Sequence, residues 1–133
     1  MHEEPYEQNS YPKNRSFESN RGDLVRSKSE KFIADKLYAA GIPYRYEEVI
    51  TLENGYFASP DFTVLNKRTK EIYYIEHLGN LQDEQYLDEN VRKLSRYYKS
   101  GSNFAGHLLI TIENSRAEFD GSVMDPLIES LFR

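Results

Sequence analysis

Apolar positions recur along this chain with two periods. In "SKSEKFIADKLYAAGIP", Ile33, Leu37 and Ala40 fall at helical spacing, and Phe32 and Tyr38 widen the stripe. Ser27 is a good N-cap, Gly41 a good C-terminal stop, and Pro43 prevents continuation. "YRYEEVITL" then alternates as a strand does, and "ENG" signals a turn. "FASPDFTVLN" reads as a second strand, with Pro60 limiting its pairing, and "KRTK" turns the chain into a third, "EIYYIEHL". A helix is expected from Glu84 to Lys99, with Leu87, Val91, Leu94 and Tyr98 as its apolar stripe and Gly101 ending it. "GHLLITIE" reads as a buried strand. Asp125 is expected to cap a short last helix, with Pro126 at its first position and Leu127, Ile128 and Leu131 on its apolar side.

Residues 1–22 are polar, mixed in charge and without periodicity, which predicts a flexible tail before one domain over 23–133. The order α, β, β, β, α, β, α predicts an α/β fold, a central sheet of mixed direction flanked by helices. At 133 residues the core is modest, but 11 Tyr and 7 Phe can bury much area each. The absence of Cys excludes disulfides and thiolate metal sites and fits a reducing compartment. With no membrane-length apolar run and no signal-peptide pattern, the expectation is a cytoplasmic protein without membrane contact. The net charge of −5 argues against nonspecific coating of nucleic acid. It argues less against a metal-dependent enzyme on nucleic acid, because a metal site itself requires carboxylates.

Three carboxylates occupy unusual places. Glu30 lies three residues before Ile33 and seven before Leu37, on the apolar side of its helix, where a charge needs a partner. The simpler role for it is a capping box, Ser27-x-x-Glu30. Asp61 follows Pro60 at a strand entrance, where it could equally be a turn residue. Glu76 closes "IYYIE" on the strand face of Ile72 and Tyr74, so it should be exposed at a sheet end, paired, or bound to a cation.

Taken together, Glu30 on a helix, Pro60-Asp61, Glu76 on the next strand and the αβββαβ order resemble the PD-(D/E)XK nuclease superfamily, the restriction-endonuclease-like fold. The resemblance spans residues 25 to about 113. It implies a Mg²⁺-dependent nuclease acting on DNA, with Mn²⁺ as a substitute ion. Asp61 and Glu76 would hold the metal with the His77 backbone carbonyl, and Glu30 would bind through water or help hold a second ion. The superfamily's strand Lys, two residues after the acidic one, is replaced by Leu78. His77 and Lys93 are the candidates to stand in for it. His77 starts on the opposite strand face, and Gly79 could bend it inward; a plain polar role is the alternative. Lys93 shares a helix face with Tyr86, Asn90 and Tyr97, and "KLSRY" resembles the Gln-x-x-x-Tyr motif of RecB-like members with Lys93 in place of Gln. Lys28, Lys31, Arg92, Arg96 and Tyr97 are candidate nucleic-acid contacts, or ordinary helix-surface and core-edge residues. The rival reading is a non-catalytic nucleic-acid-binding or protein-interaction module on a degenerate nuclease fold. A homodimer and a larger multidomain context both stay open.

Overall fold

A computed structural model describes residues 5–9 and 15–133. In chain order the elements are β1 (Phe17–Glu18), β2 (Leu24–Val25), α1 (Lys28–Ala39), β3 (Tyr44–Tyr46), β4 (Ile50–Thr51), β5 (Phe57–Ala58), β6 (Phe62–Leu65), β7 (Ile72–Leu78), α2 (Glu84–Lys99), α3 (Ser102–Ala105), β8 (Leu108–Ile112) and a C-terminal helical run beginning at Gly121, whose α-helical part is α4 (Met124–Leu127). The central sheet has the order β3-β6-β7-β8. β3–β6 and β6–β7 are antiparallel, and β7–β8 is parallel, with α2 and α3 in the crossover between them. The fold is therefore mixed α/β, with a mixed four-stranded sheet and helices. No helix among the described residues is long and apolar enough to cross a membrane.

Strand alternation sorts the two faces. Tyr44, Tyr46, Phe62, Val64 and Ile75 join Ile33 and Leu37 of α1, Met124 and Phe132 in the main core. The Phe62 ring lies edge-on to both tyrosines, with centroids 5.8 Å from Tyr44 and 5.4 Å from Tyr46. Losing that ring would cost roughly 3–5 kcal/mol. A smaller cluster of Leu52, Ala58, Tyr97 and Phe104 fills the α2 side.

Several expected elements change on inspection. The long first strand stops at Tyr46 because Glu47 adopts φ +52°. Beyond it, β4 and β5 form a separate two-stranded ladder around a turn with Gly55 at φ +87°. Pro60, which has no N–H to offer a ladder, separates β5 from β6. The stripe Leu87–Val91–Leu94–Tyr98 does not face the core: Leu87, Val91 and Tyr98 are exposed, while Asn90 and Tyr97 are buried. β8 is an edge strand, with Ile110 and Ile112 exposed, rather than a buried one. In the last helical run the capping side chain is Asp120, which accepts from the Ser122 amide at 3.0 Å, and not Asp125, which pairs with Lys36 at 2.8 Å. Its buried residues are Met124, Ile128 and Phe132, with Leu127 and Leu131 only partly covered.

The segment expected as a tail makes specific contacts where it is described. The Tyr6 hydroxyl donates to the Tyr46 carbonyl at 3.2 Å, Arg15 pairs with Glu47 at 2.5 Å, and β1 pairs with β2. Residues 1–4 and 10–14 of that segment lie outside the described residues.

Candidate functional site

The register of the sheet brings two of the three carboxylates together. Phe62 pairs with Ile75 across β6 and β7. Continuing that register by one residue sets Asp61 opposite Glu76, on the α2 face. Residues opposite one another in an antiparallel pair lie about 4.5–5.5 Å apart at Cα, and like charges there repel. Asp61 stands where the β6 backbone ladder ends, and its Oδ2 accepts from the His77 amide at 2.7 Å, in effect supplying the next rung. A strand residue's N–H and C=O point to the same edge, so the His77 carbonyl also faces the Asp61 end of β6. Part of Asp61 is open to solvent, but its carboxyl is enclosed; burial raises its pKa, and the Lys93 charge and the His77 amide pull it back.

Glu76 is 1% exposed. Its Oε2 accepts from Lys93 Nζ at 3.0 Å, and its Oε1 has no hydrogen-bond partner. Burial and then the Asp61 charge push its pKa up to about 8, against the pull of Lys93. Lys93 reaches this point because α2 presents its polar face to the sheet. Asp83 caps the helix by accepting from the Tyr86 amide, and Tyr97 anchors it, its ring edge-on to Phe104 at 5.1 Å. Burial lowers the Lys93 pKa, but the Glu76 and Asp61 charges outweigh that and hold it above the usual lysine value, so Lys93 stays a cation.

Glu30 approaches from α1. Its amide donates to the Ser27 hydroxyl at 3.1 Å, which is half of the expected capping box. The other half is shifted: Glu30 Oε1 accepts from the Arg26 amide at 3.0 Å and from the Tyr46 hydroxyl at 2.8 Å. The residue is thus both a cap and a buried carboxylate, pushed up to about 8 by burial and then by the Asp61 charge.

Glu30, Asp61, Glu76 and Lys93 line one cleft of about 1220 Å³. Arg96 and Tyr97 also line it; Lys28, Lys31 and Arg92 do not. Lys31 is instead paired with Asp35 at 2.6 Å, and Lys28 and Arg92 are exposed on the helix surfaces, so these three lie outside the cleft lining. His77 contributes backbone only. Its buried ring lies on the opposite strand face, with Nδ1 2.7 Å from Thr111 Oγ1, Nε2 2.7 Å from Glu113 Oε1, and Phe119 edge-on at 5.0 Å. Strand alternation, undisturbed by any bend at Gly79, turns the His77 side chain away from the Asp61 and Glu76 carboxylates, so the bend expected to swing it inward does not occur.

Four further residues belong to the cleft wall. Glu47 is held between Arg15 at 2.5 Å and Arg26 at 2.6 Å. Burial raises its pKa, but the bonds from those two guanidiniums leave it below the usual carboxylate range. Asn90 is buried with its Oδ1 unpartnered, and the Tyr86 hydroxyl accepts from the Gly79 amide at 3.0 Å. The helical spacing of Tyr86, Asn90, Lys93 and Tyr97 is the sequence signal for that wall; nothing in the sequence signals Glu47 and Arg26.

Among the described residues, no three His, Cys, Asp or Glu side chains form a ready metal cluster. The donor set still fits Mg²⁺ or Mn²⁺. Mg²⁺ takes one or two carboxylates and keeps several waters, rather than a cage of protein side chains. The buried Glu76 oxygen without a partner, on a residue repelled by Asp61, is an oxygen that a cation could take. These features define a mixed α/β protein with a carboxylate-and-lysine cleft at the end of its central strands. Comparison with protein-family models, curated proteins and solved structures returned no match for this chain.

Proposed function

We propose that this chain is a Mg²⁺-dependent nuclease domain of the restriction-endonuclease-like fold that hydrolyses phosphodiester bonds in DNA. The observation that carries the reading is the convergence of Asp61, Glu76 and Lys93 at one point of the cleft, with Glu76 Oε1 left unpartnered. The order α1, three antiparallel-linked strands, α2 and a parallel fourth strand supports it. Asp61, Glu76 and the His77 carbonyl would hold the ion, and Glu30 borders it. When bound, the ion supplies a water of lowered pKa and neutralises charge on the phosphate. Asp61 does double duty, since it also ties the end of β6 to β7 through the His77 amide. Lys93 holds the Glu76 carboxylate and presents a cation to the cleft, where a phosphate oxygen or the attacking water can meet it.

The test is cleavage of plasmid and single-stranded DNA with Mg²⁺ or Mn²⁺ and with chelator. Wild type should cut only with metal, and Asp61→Asn should be inactive with a circular dichroism spectrum like wild type. An Asp61→Asn protein that cuts at the wild-type rate removes Asp61 from the mechanism. One observation favours a non-catalytic module instead: the cleft wall carries six carboxylates (Glu30, Glu47, Asp61, Glu76, Asp83, Glu89) against three cations (Arg26, Lys93, Arg96). Metal binding without cleavage of any DNA would establish that reading.

A further inference from the structure

Among the described residues, two apolar surfaces stand uncovered beside one another, on the side of α2 away from the cleft. The first is the helix stripe. Leu87, Val91, Leu94 and Tyr98 are spaced four, three and four residues apart, the spacing of a helix–helix seam. Val91 is 57% and Tyr98 51% exposed, and Leu94 packs on the small cluster that includes Leu108 of β8. The second is β8. Ile110 pairs with Glu76 and Ile112 with Leu78, so both isoleucines lie on the sheet face that α2 partly covers, and Ile112 is 59% exposed.

Among the described residues the β8 edge is open as well. The His107 carbonyl and the Glu113 amide bond to β7, so the backbone groups of Leu108, Ile110 and Ile112, alternating with them, point outward. Proteins usually blunt such an edge with charge or proline. Leu108–Ile112, "LLITI", contains neither. On the far face, Leu109, Phe119, Val123 and Leu127 line an apolar groove of about 540 Å³ along the same edge.

We infer that this face is the interface of a two-fold homodimer, in which β8 pairs antiparallel with β8 of a second copy and the α2 helices pack antiparallel over the joint. The two surfaces demand the same operator independently. A two-fold axis beside β8 makes the strand pair antiparallel and joins the two sheets. It also makes the helix pair antiparallel, and the charge along α2 is arranged for that. On the side of the helix away from the cleft, Glu84 and Asp88 lie in its first half, and Arg92 and Lys99 lie in its second. An antiparallel mate sets acid against base, whereas a parallel mate would set like against like. With Val91 against the second copy's Leu94, and Leu87 against its Tyr98, Glu84 and Asp88 fall near its Lys99. This dimer does not depend on the nuclease reading.

The full chain is examined by sedimentation velocity or light scattering. Wild type should show a species of twice the 15.6 kDa chain mass. Glu84→Lys/Asp88→Lys and Arg92→Glu/Lys99→Glu should each run as monomers, and an equimolar mixture should regain the doubled mass. Ile112→Lys should be monomeric with an unchanged circular dichroism spectrum. A wild type that stays monomeric at its highest soluble concentration overturns the proposal. So does a dimer that survives Ile112→Lys, which would place the contact elsewhere. A mixture of the two charge-reversed chains that stays monomeric overturns the antiparallel arrangement.

Discussion

Adding Mg²⁺ or Mn²⁺ to the metal-free protein near neutral pH should release protons, and their number reports which carboxylates the ion meets. Glu30 and Glu76 are each pushed up to about 8 by burial and by the Asp61 charge. A carboxyl with that pKa is about nine-tenths protonated at about pH 7. A cation binds only the ionised form, so ligation must displace the proton. Ligation by Glu76 alone should therefore release about one proton per ion, and more where Glu30, or Asp61, whose pKa burial also raises, ionises with it. Each proton released makes the apparent affinity rise about tenfold per pH unit, or about 1.4 kcal/mol, until the carboxyls are ionised. Isothermal titration in buffers of different ionisation enthalpy, from about pH 6 to about pH 8, reads the proton count directly. Asp61→Asn should lose most of the binding. Binding without proton release at about pH 7 would mean that the ion does not touch this cluster. No binding at about pH 8, where Glu76 is half ionised, would remove the metal site.

Lys93→Ala should lower the cleavage rate by roughly two or more orders of magnitude, the scale of a removed electrostatic stabiliser. His77→Ala should instead lower stability by roughly 1–3 kcal/mol through the orphaned Thr111 and Glu113 groups, leaving the pH–rate profile unchanged; a profile that gains or loses a limb near neutrality would restore His77 to the chemistry. The stability of the metal-free protein should fall as pH rises from about 5 to about 8, by an amount on the order of 1 kcal/mol per unit for each raised carboxyl. The sign follows from proton uptake: in this window the folded protein keeps protons on Glu30 and Glu76 that the unfolded chain has lost, so alkali favours unfolding. Thermal melts across this range check it, and a midpoint that climbs with pH would contradict the raised values.

The site was legible in the sequence to the extent that its residues were placed by local periodicity. Glu30 follows from helical spacing, Glu76 from strand alternation, and Lys93 from its face on α2. His77 was placed on the correct strand face by the same alternation, and a catalytic role for it needed a bend that Gly79 does not produce. The misreadings come where tertiary contacts override a local pattern. The stripe on α2 predicts a buried face, yet the helix is turned by the Lys93–Glu76 pair and by Tyr97 against Phe104, which set its polar side on the sheet. Glu47 breaks "YRYEEVITL" with a left-handed residue because its backbone and side chain are both engaged: its amide donates to Asp61, its carbonyl accepts from Ser59 and Asn9, and its carboxylate meets two arginines. Arg15 and Tyr6 lie 32 and 40 residues from their partners, and no local signal reports a contact of that range.

On the proposed nuclease reading, the acid excess of the cleft and a phosphate substrate would be compatible only through a bound cation. Three cations facing six carboxylates cannot attract a polyanion by charge alone, and a net charge of −5 supplies no field to help. The protein has already neutralised Glu47 with Arg15 and Arg26, and it keeps a third guanidinium, Arg96, on the α2 side. What stays uncompensated is the trio Glu30, Asp61 and Glu76, against the single ammonium of Lys93. In the proposed site, protons and a divalent ion would compete for the same oxygens. On the proposed reading, protonation favours the metal-free fold, and one divalent ion would bring the ionised trio with Lys93 to neutrality, removing the repulsion a phosphate would otherwise meet. A structural role for the trio would favour replacing these acids with neutral groups of the same shape, because a buried carboxylate with an orphaned oxygen costs stability. Their presence together in the cleft, with Lys93 held over Glu76, is understandable on the proposed reading, in which the site takes a cation.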